Sequence, residues 1–220
     1  MKLNKASIQW ALKSLENLGD SDLFTRPFEL SIIKELGDIA SSKLASLDIS
    51  NYSYGSSRRF IVPKDDLSYR IASQLDPLNS IILTALIYEY GPLIEAKRRS
   101  VKEKIVFSYR FAPDVDGRIY DSANSWNDFW GTCYEKSRKC THVVILDIAD
   151  FYNQIYHHSL ENQLIESGLP NQALKWIIGL CNFLTASVSR GIPVGPHASH
   201  ILAESVLSPV DNVLMTQGID

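Results

Sequence analysis

The sequence predicts an α+β protein, and three observations on its patterning predict it. Several long segments repeat apolar residues every three to four positions, which is the period of an amphipathic helix. Four short runs are rich in β-branched and aromatic residues, as strands are. The two kinds of segment do not alternate as β-α-β units, so a doubly wound parallel sheet is not expected.

The first fifty residues are predicted to form a helical N-terminal extension. Residues 5–18 carry apolar side chains at helical spacing, and Gly19 is a typical helix end. The segment from Pro27 to about Leu47 repeats the pattern. Residues 50–57 are rich in Tyr, Ser and Gly and are expected to form a loop.

Residues 51–140 are predicted to begin with a hairpin and a long helix. Arg59–Pro63 and Tyr69–Leu75 read as two strands around the turn Lys64-Asp65-Asp66. Asp76-Pro77 combines a helix N-cap with proline at the first helical position, which predicts a helix to about Arg98. Gly91-Pro92 is expected to kink or interrupt that helix.

The remaining elements follow from the same patterns. Lys104–Phe111 is β-like, and His142–Leu146 reads as a buried strand that delivers Asp147 at its end. Trp126, Trp130 and Tyr134 share one face of a predicted helix and are expected to lie in the core. The predicted C-terminal helices cover these segments: 126–139, 159–167, 170–187 and 197–215.

Composition excludes several classes of protein. The chain has 220 residues, of which 45% are hydrophobic and 21% charged, a globular composition rather than a disordered one. Its longest apolar stretch, Ser80–Tyr88, is far shorter than the roughly 20 residues that cross a bilayer. The N-terminus does not resemble a secretory signal. Three cysteines without a C-x-x-C pair argue against a disulfide framework or a standard zinc site, so we expect a soluble cytoplasmic protein.

Charge is unevenly distributed along the chain. The net charge is −3, but residues 51–110 carry 10 Lys and Arg against 6 Asp and Glu, a local excess of +4. This basic island lies beside acidic flanks, a combination that suits an enzyme gripping a polyanion and holding a divalent metal. Taken alone, its run Lys97–Arg99 is better explained as a solvated helix end near the negative pole of the helix dipole.

Three short elements carry residues that could bind a ligand or take part in catalysis. Asp147-Ile148-Ala149-Asp150-Phe151-Tyr152 follows the predicted strand 142–146, and a carboxylate at a strand end is a good magnesium ligand. The glycines of the segment 191–199 allow the backbone to approach a ligand closely. Lys64 and Arg70 can offer cations to phosphate from one hairpin. Each element alone is more often an ordinary turn, cap or solvated strand.

Together and in this order, the three elements resemble the reverse transcriptase family. From about Arg58 onward, "PKDDLSYR" is similar to the fingers segment, "VVILDIADFYNQIYHHSL" to the first catalytic palm motif and "GIPVGPHASHILAE" to the following palm motif. The residues of these motifs are most similar to those of the bacterial abortive-infection and defence-associated branch. The resemblance implies polymerase fingers over residues 51–140 and a partial palm over 141–220, after the helical extension 1–50.

The resemblance also implies roles for individual residues. Asp147 would be a catalytic, metal-binding carboxylate with the Ile148 carbonyl as a further ligand, in a site for two Mg²⁺ ions. Tyr152 would fill the space of a 2′-hydroxyl and so favour deoxynucleotides. The implied partners are dNTPs and an RNA or DNA template and primer, without a membrane. The other residues implied to bind the nucleotide are Lys64, Arg70, Asp150, Phe151, Gly195 and Ser199.

The chain departs from the family pattern at two points. Val194 stands where many reverse transcriptases have Gln, so a polar contact near the incoming nucleotide is removed. The resemblance to the abortive-infection branch implies template-independent synthesis. No Tyr-x-Asp-Asp motif occurs, so the remaining metal-binding carboxylates are missing. We therefore expect an N-terminal portion of a longer polymerase, inactive alone, whose strand 142–146 lacks a neighbour and favours self-association.

Two alternatives to a reverse transcriptase stay open. An RNA-dependent RNA polymerase would use the same palm, but the bulky Tyr152 argues against it. A catalytically inactive nucleic-acid-binding or regulatory fragment is the other alternative, and the missing carboxylate motif favours it.

Overall fold

Helices and one small antiparallel sheet make up the computed structural model, which describes residues 1–122 and 126–218. Within those residues, two strands, β1 (Arg58–Pro63) and β2 (Tyr69–Gln74), form the hairpin, and short 3₁₀ turns occur at Ile49–Asn51 and Val101–Glu103. The α+β class is therefore confirmed. The helices are α1 (Lys5–Leu18), α2 (Phe28–Glu35), α3 (Gly37–Ser46), α4 (Pro77–Glu95), α5 (Trp126–Ser137), α6 (Phe151–Gln154), α7 (His157–Glu166), α8 (Asn171–Leu184) and α9 (Ser199–Thr216).

Helix α4 is the central element of the core. It begins as the sequence predicts, with the Asp76 carboxylate accepting a hydrogen bond from the Leu78 N–H at 2.9 Å and Pro77 in the first turn. Every residue from 79 to 87 is buried, so this helix is enclosed on all sides rather than amphipathic. Helices α1 and α9 both pack against it.

The N-terminal helices share this core with the rest of the chain. Helix α1 begins and ends where the sequence predicts, and Gly19 follows it with φ +79°. The predicted segment 27–47 is divided in two at Gly37, whose φ is +49°. The Trp10 ring stacks on Tyr88 of α4 at 4.4 Å between centroids, which joins the extension to the central helix.

Helix α4 continues through Gly91-Pro92 to Glu95, so the predicted interruption does not occur. Proline removes one hydrogen bond from a helix interior, but the surrounding turns remain packed in the core. Gly91 is required at this position because a Cβ atom there would lie 2.4 Å from the Phe111 ring. The absence of a side chain at Gly91 leaves room for the Phe111 ring to pack against the helix.

The bounds of the C-terminal helices agree with the sequence prediction to within a few residues. The burial of α5 differs from the prediction. The side chains of Trp126, Trp130 and Tyr134 are 70%, 43% and 64% exposed, so the expectation of a core face is wrong. The Trp126 and Trp130 rings contact each other and Phe129 instead of the main core. None of the helices in the described ranges is long and apolar enough to cross a membrane.

The predicted strand Lys104–Phe111 is replaced by an irregular loop. Lys104 and Tyr109 adopt positive φ angles of 52° and 46°, and only Phe111 forms a bridge, to Tyr120. The cause is a buried guanidinium: Arg98 donates to the Ser108 and Tyr109 carbonyls at 2.7 and 2.8 Å. The loop carbonyls are satisfied by this side chain instead of by a strand neighbour.

The predicted buried strand 142–146 is also absent. These residues have no regular secondary structure and are exposed, and the side chains of residues 143–146 are between 61% and 88% accessible. A strand requires a paired neighbour, and within the described residues the only sheet is the hairpin β1–β2. The segment therefore remains irregular in this structure despite its β-branched residues.

Candidate functional site

The glycine turn 191–196 is the point where the three sequence elements meet. The Ser73 N–H of β2 donates to the Val194 carbonyl at 2.8 Å, so the turn extends the edge of the hairpin. On the other side, the Ile192 N–H donates to the Tyr152 carbonyl at 3.0 Å. The turn thus holds the hairpin and helix α6 in fixed positions by backbone hydrogen bonds.

Gly195 makes this close approach possible. Its φ of +125° lies in the region that favours glycine. A Cβ atom at this position would lie 3.1 Å from the Ser73 carbonyl oxygen and 3.4 Å from Ser21 Oγ, so a side chain would push the turn away from β2. Gly195 is buried, and its role in this structure is therefore to shape the site from behind.

Tyr152 is fixed by a half-buried histidine. Its hydroxyl lies 2.5 Å from His200 Nδ1 on α9, and the His200 ring stacks on Tyr109 with centroids 3.9 Å apart. Burial, aided by the nearby His197, lowers the pKa of His200 to about 4, and burial raises the pKa of Tyr152 well above 10. At neutral pH both groups are therefore uncharged, and the hydrogen bond between the hydroxyl and the imidazole fixes the orientation of the Tyr152 ring.

The first turn of α9 is held by Tyr120. The Tyr120 hydroxyl donates to the His197 carbonyl at 2.6 Å and accepts from the Ile201 N–H at 3.1 Å. Ser199 lies between these contacts with 0% exposure, and its hydroxyl is buried without a hydrogen-bond partner among the described residues. In this structure Ser199 is therefore enclosed in the fold, and its hydroxyl is not exposed to a ligand.

Lys64 and Arg70 lie on one face of the hairpin. The register pairs Arg70 with Val62, and Lys64 follows Val62 by two residues, so strand alternation places both cations on the same side. Both are exposed. Arg70 forms no hydrogen bond or ion pair with a described residue, which leaves its guanidinium open to an anion. The same face contacts the N-terminal segment through a ring contact between Phe60 and Phe24.

Asp147 does not lie at the end of a buried strand, contrary to the sequence prediction. Asp147 and Ile148 are exposed on the irregular segment that precedes α6. Asp150 adopts a φ of +54°, and its carboxylate accepts from the Asn153 and Gln154 amides at 2.6 and 3.3 Å. Phe151 is half-buried against the core and does not stand free for a ligand.

These carboxylates do not fit a two-metal centre by themselves. Two Mg²⁺ ions need several oxygen ligands converging on a shared point. In the part of the chain that the structure describes, no three His, Cys, Asp or Glu side chains converge in that way. Asp147 could supply one ligand, and further carboxylates would have to come from outside the described residues.

The basic island is partly neutralised inside the fold. The Arg98 side chain is 1% exposed and bonds to Glu204 Oε2 of α9 at 2.6 Å and to Glu95 Oε2 at 3.0 Å. Arg110 is also buried and pairs with Glu95. The interpretation of Lys97–Arg99 as a solvated helix end is therefore wrong for Arg98. The sequence reasoning missed this pair because it joins residues 106 positions apart.

A groove of about 700 Å³ adjoins the Tyr152 cluster, between the loop 105–109 and helices α5 and α9. The charged side chains that line it are acidic. Burial raises the pKa of one of them, Asp211, although three nearby arginines oppose that shift. Aromatic walls can stack on a base, whereas carboxylates disfavour a phosphate. The rings that line it are Phe107, Tyr109, Tyr120, Trp126 and Phe129.

The structure thus brings together only part of the predicted site. Tyr152, Gly195 and Ser199 converge around the glycine turn with the edge of the hairpin, whereas Asp147 lies on the exposed segment before α6. His200 belongs to the same cluster; from the sequence, the pair His197-x-x-His200 is better explained as structural or surface histidines than as a metal site, because it lacks a Cys or Glu partner at zinc-like spacing. No protein-family model matches the chain, and no curated protein matches it.

Proposed function

We propose that this chain forms the fingers and part of the palm of a reverse transcriptase-like enzyme. In this proposal it belongs to a bacterial antiviral defence type and acts in the cytoplasm. The observation that carries the proposal is the glycine turn, which hydrogen-bonds both to the hairpin bearing Lys64 and Arg70 and to Tyr152. Three elements that are distant in sequence share one small region, as a nucleotide site would require.

Each residue would contribute to nucleotide binding through ordinary chemistry. Arg70 would offer a guanidinium fork to phosphate oxygens, and Lys64 would add a point charge on the same hairpin face. Tyr152, held in one orientation by His200, would fill the space beside the sugar. Gly195 would keep the turn close to β2 and so hold the hairpin and Tyr152 in place around the nucleotide.

Nucleotidyl transfer would need more than the described residues offer. Asp147 is one candidate metal ligand, and the remaining carboxylates of a two-metal site do not occur beside it. The described part of the chain is therefore proposed to bind dNTPs and a primer–template, with incorporation depending on carboxylates from elsewhere.

Arg70→Ala is expected to weaken dNTP binding about tenfold, because hydrogen bonds between charged groups are among the stronger ones. Binding of dATP to the purified chain, measured by calorimetry, checks this. Arg118→Ala is the matched control, since Arg118 is also an exposed arginine and its ion pair with Asp114 is a loose contact of 3.9 Å. Equal losses in the two variants, or none in Arg70→Ala, would contradict the assignment.

Tyr152→Ala is expected to reduce the preference for dATP over ATP roughly tenfold, because the ring would no longer exclude a 2′-hydroxyl. The ratio of the two binding constants is the measurement. Tyr152→Phe keeps the ring and loses only the bond to His200. It should retain most of the preference. A ratio unchanged in Tyr152→Ala would remove Tyr152 from the proposed sugar contact.

A catalytically inactive nucleic-acid-binding module is the second candidate. It is favoured by the lack of three converging metal-ligating side chains among the described residues. Such a module would bind a primer–template with strong salt dependence and without a requirement for Mg²⁺. Binding that is unchanged by a chelator, together with a smaller salt dependence in Arg70→Ala, would favour this candidate over the polymerase.

A further inference from the structure

The segment His142–Asp147 has exposed backbone and apolar side chains that could pair with another strand. It holds four consecutive apolar residues, three of them β-branched, and all are exposed. Its backbone N–H and carbonyl groups form no backbone hydrogen bond with any described residue. Exposed β-prone backbone of this kind is a template for adding another strand.

The charges around this segment select one partner and one orientation. Arg138 and Lys139 precede it, while Asp147 ends it and Asp150 follows it, so its two ends carry opposite charge. Two copies aligned in parallel would place like charges together. Two copies aligned antiparallel would place the basic end of each beside the acidic end of the other.

We propose that residues 142–147 pair antiparallel with the same segment of a second copy of this chain, forming a two-fold symmetric dimer. The register sets Val144 opposite Ile145 of the second copy and Val143 opposite Leu146. His142 then faces Asp147, and the flanking Lys139 and Asp150 come together across the interface. The interface is self-complementary, as a two-fold dimer requires.

The proposal does not depend on the proposed function. It uses only the exposed side chains and unpaired backbone of one segment, and it holds whether or not the chain binds nucleotides. It also gives the exposed β-prone run 142–146 a strand neighbour, which it lacks among the described residues of the single chain. The apolar side chains would lose their exposure to water on pairing.

Sedimentation velocity over a range of protein concentrations tests for the dimer. Val144→Lys is expected to abolish dimerisation, because it places a charge at the centre of the pair. The fold should tolerate this change, since Val144 is 77% exposed. Leu67→Lys is the matched control, as Leu67 is 98% exposed in the hairpin turn. A monomer at every concentration, or equal loss in both variants, would overturn the proposal.

Charge reversal tests the orientation. Lys139→Asp and Asp150→Lys should each weaken the dimer about tenfold, since each sets like charges opposite one another twice. An equimolar mixture of the two variants should form a heterodimer of wild-type strength, and the double variant should recover its own homodimer. A mixture no tighter than either variant alone, or open-ended aggregates in place of a dimer, would overturn the antiparallel register.

Discussion

Arg98→Ala is expected to lower the free energy of unfolding by about 3–5 kcal/mol, the largest effect of any single change proposed. Arg98 is almost fully buried and donates to two carboxylates and two loop carbonyls. Its removal leaves Glu204 as a buried charge without its closest partner. Urea unfolding followed by tryptophan fluorescence measures the loss.

The buried charge, rather than lost packing, should account for most of this effect. Glu204→Gln removes the charge and keeps the ability to accept from Ser108 Oγ, which lies 2.8 Å from Glu204 Oε1. In the Glu204→Gln background, Arg98→Ala should therefore cost at least about 1.5 kcal/mol less than in the wild type. Arg118→Ala, at an exposed arginine with a loose ion pair of 3.9 Å, should stay within about 0.5 kcal/mol of the wild type.

Two results would count against the ion pair as the main link between α4, α9 and the loop 105–109. One is a loss below about 1 kcal/mol in Arg98→Ala, since buried pairs broken at one partner cost more than that. The other is an equal loss in both backgrounds, which would mean that Arg98 acts through its methylene groups alone.

Local signals in the sequence predict the helices well. Asp76-Pro77 and Gly19 mark helix ends by side-chain and backbone preferences that operate within a few residues, and the structure has both ends in place. The hairpin register likewise follows from alternation around a short turn. Such features need no knowledge of what packs nearby.

The failures come from tertiary contacts that local pattern does not encode. The loop 104–111 has strand-like composition, but the Arg98 guanidinium, three residues after the end of α4, donates hydrogen bonds to two of its carbonyls. The run 142–146 has the strongest strand pattern in the chain and lacks a neighbour among the described residues. In the site, Tyr152 was identified by its motif, whereas its link to His200 spans 48 residues and depends on how α9 packs.

Two buried groups are expected to oppose each other in the pH dependence of stability. Burial raises the pKa of Asp20 from 3.8 to about 6, against a hydrogen bond from Ser80 that lowers it. Burial lowers the pKa of His200 from 6.5 to about 4, with His197 adding to the shift and Asp22 opposing it. A difference of one in pKa corresponds to about 1.4 kcal/mol, so each group contributes about 3 kcal/mol.

The two contributions have opposite sign over the same pH window. Folded Asp20 holds its proton to a higher pH than unfolded Asp20, so its effect lowers the free energy of unfolding as pH rises from about 4 to 6. Unfolded His200 takes up a proton before folded His200 does, so its effect lowers stability as pH falls from about 6.5 to 4. In the wild type the two slopes largely cancel.

Single replacements should reveal each slope. Asp20→Asn keeps an acceptor for Ser80 and should be about 3 kcal/mol more stable than the wild type near pH 7.5, with little difference near pH 4. His200→Asn keeps an acceptor for Tyr152, and relative to the wild type it should gain about 3 kcal/mol between pH 7.5 and pH 4. Urea unfolding across this range provides the measurement. Parallel curves for the wild type and both variants would show that neither group titrates in the fold as its burial requires.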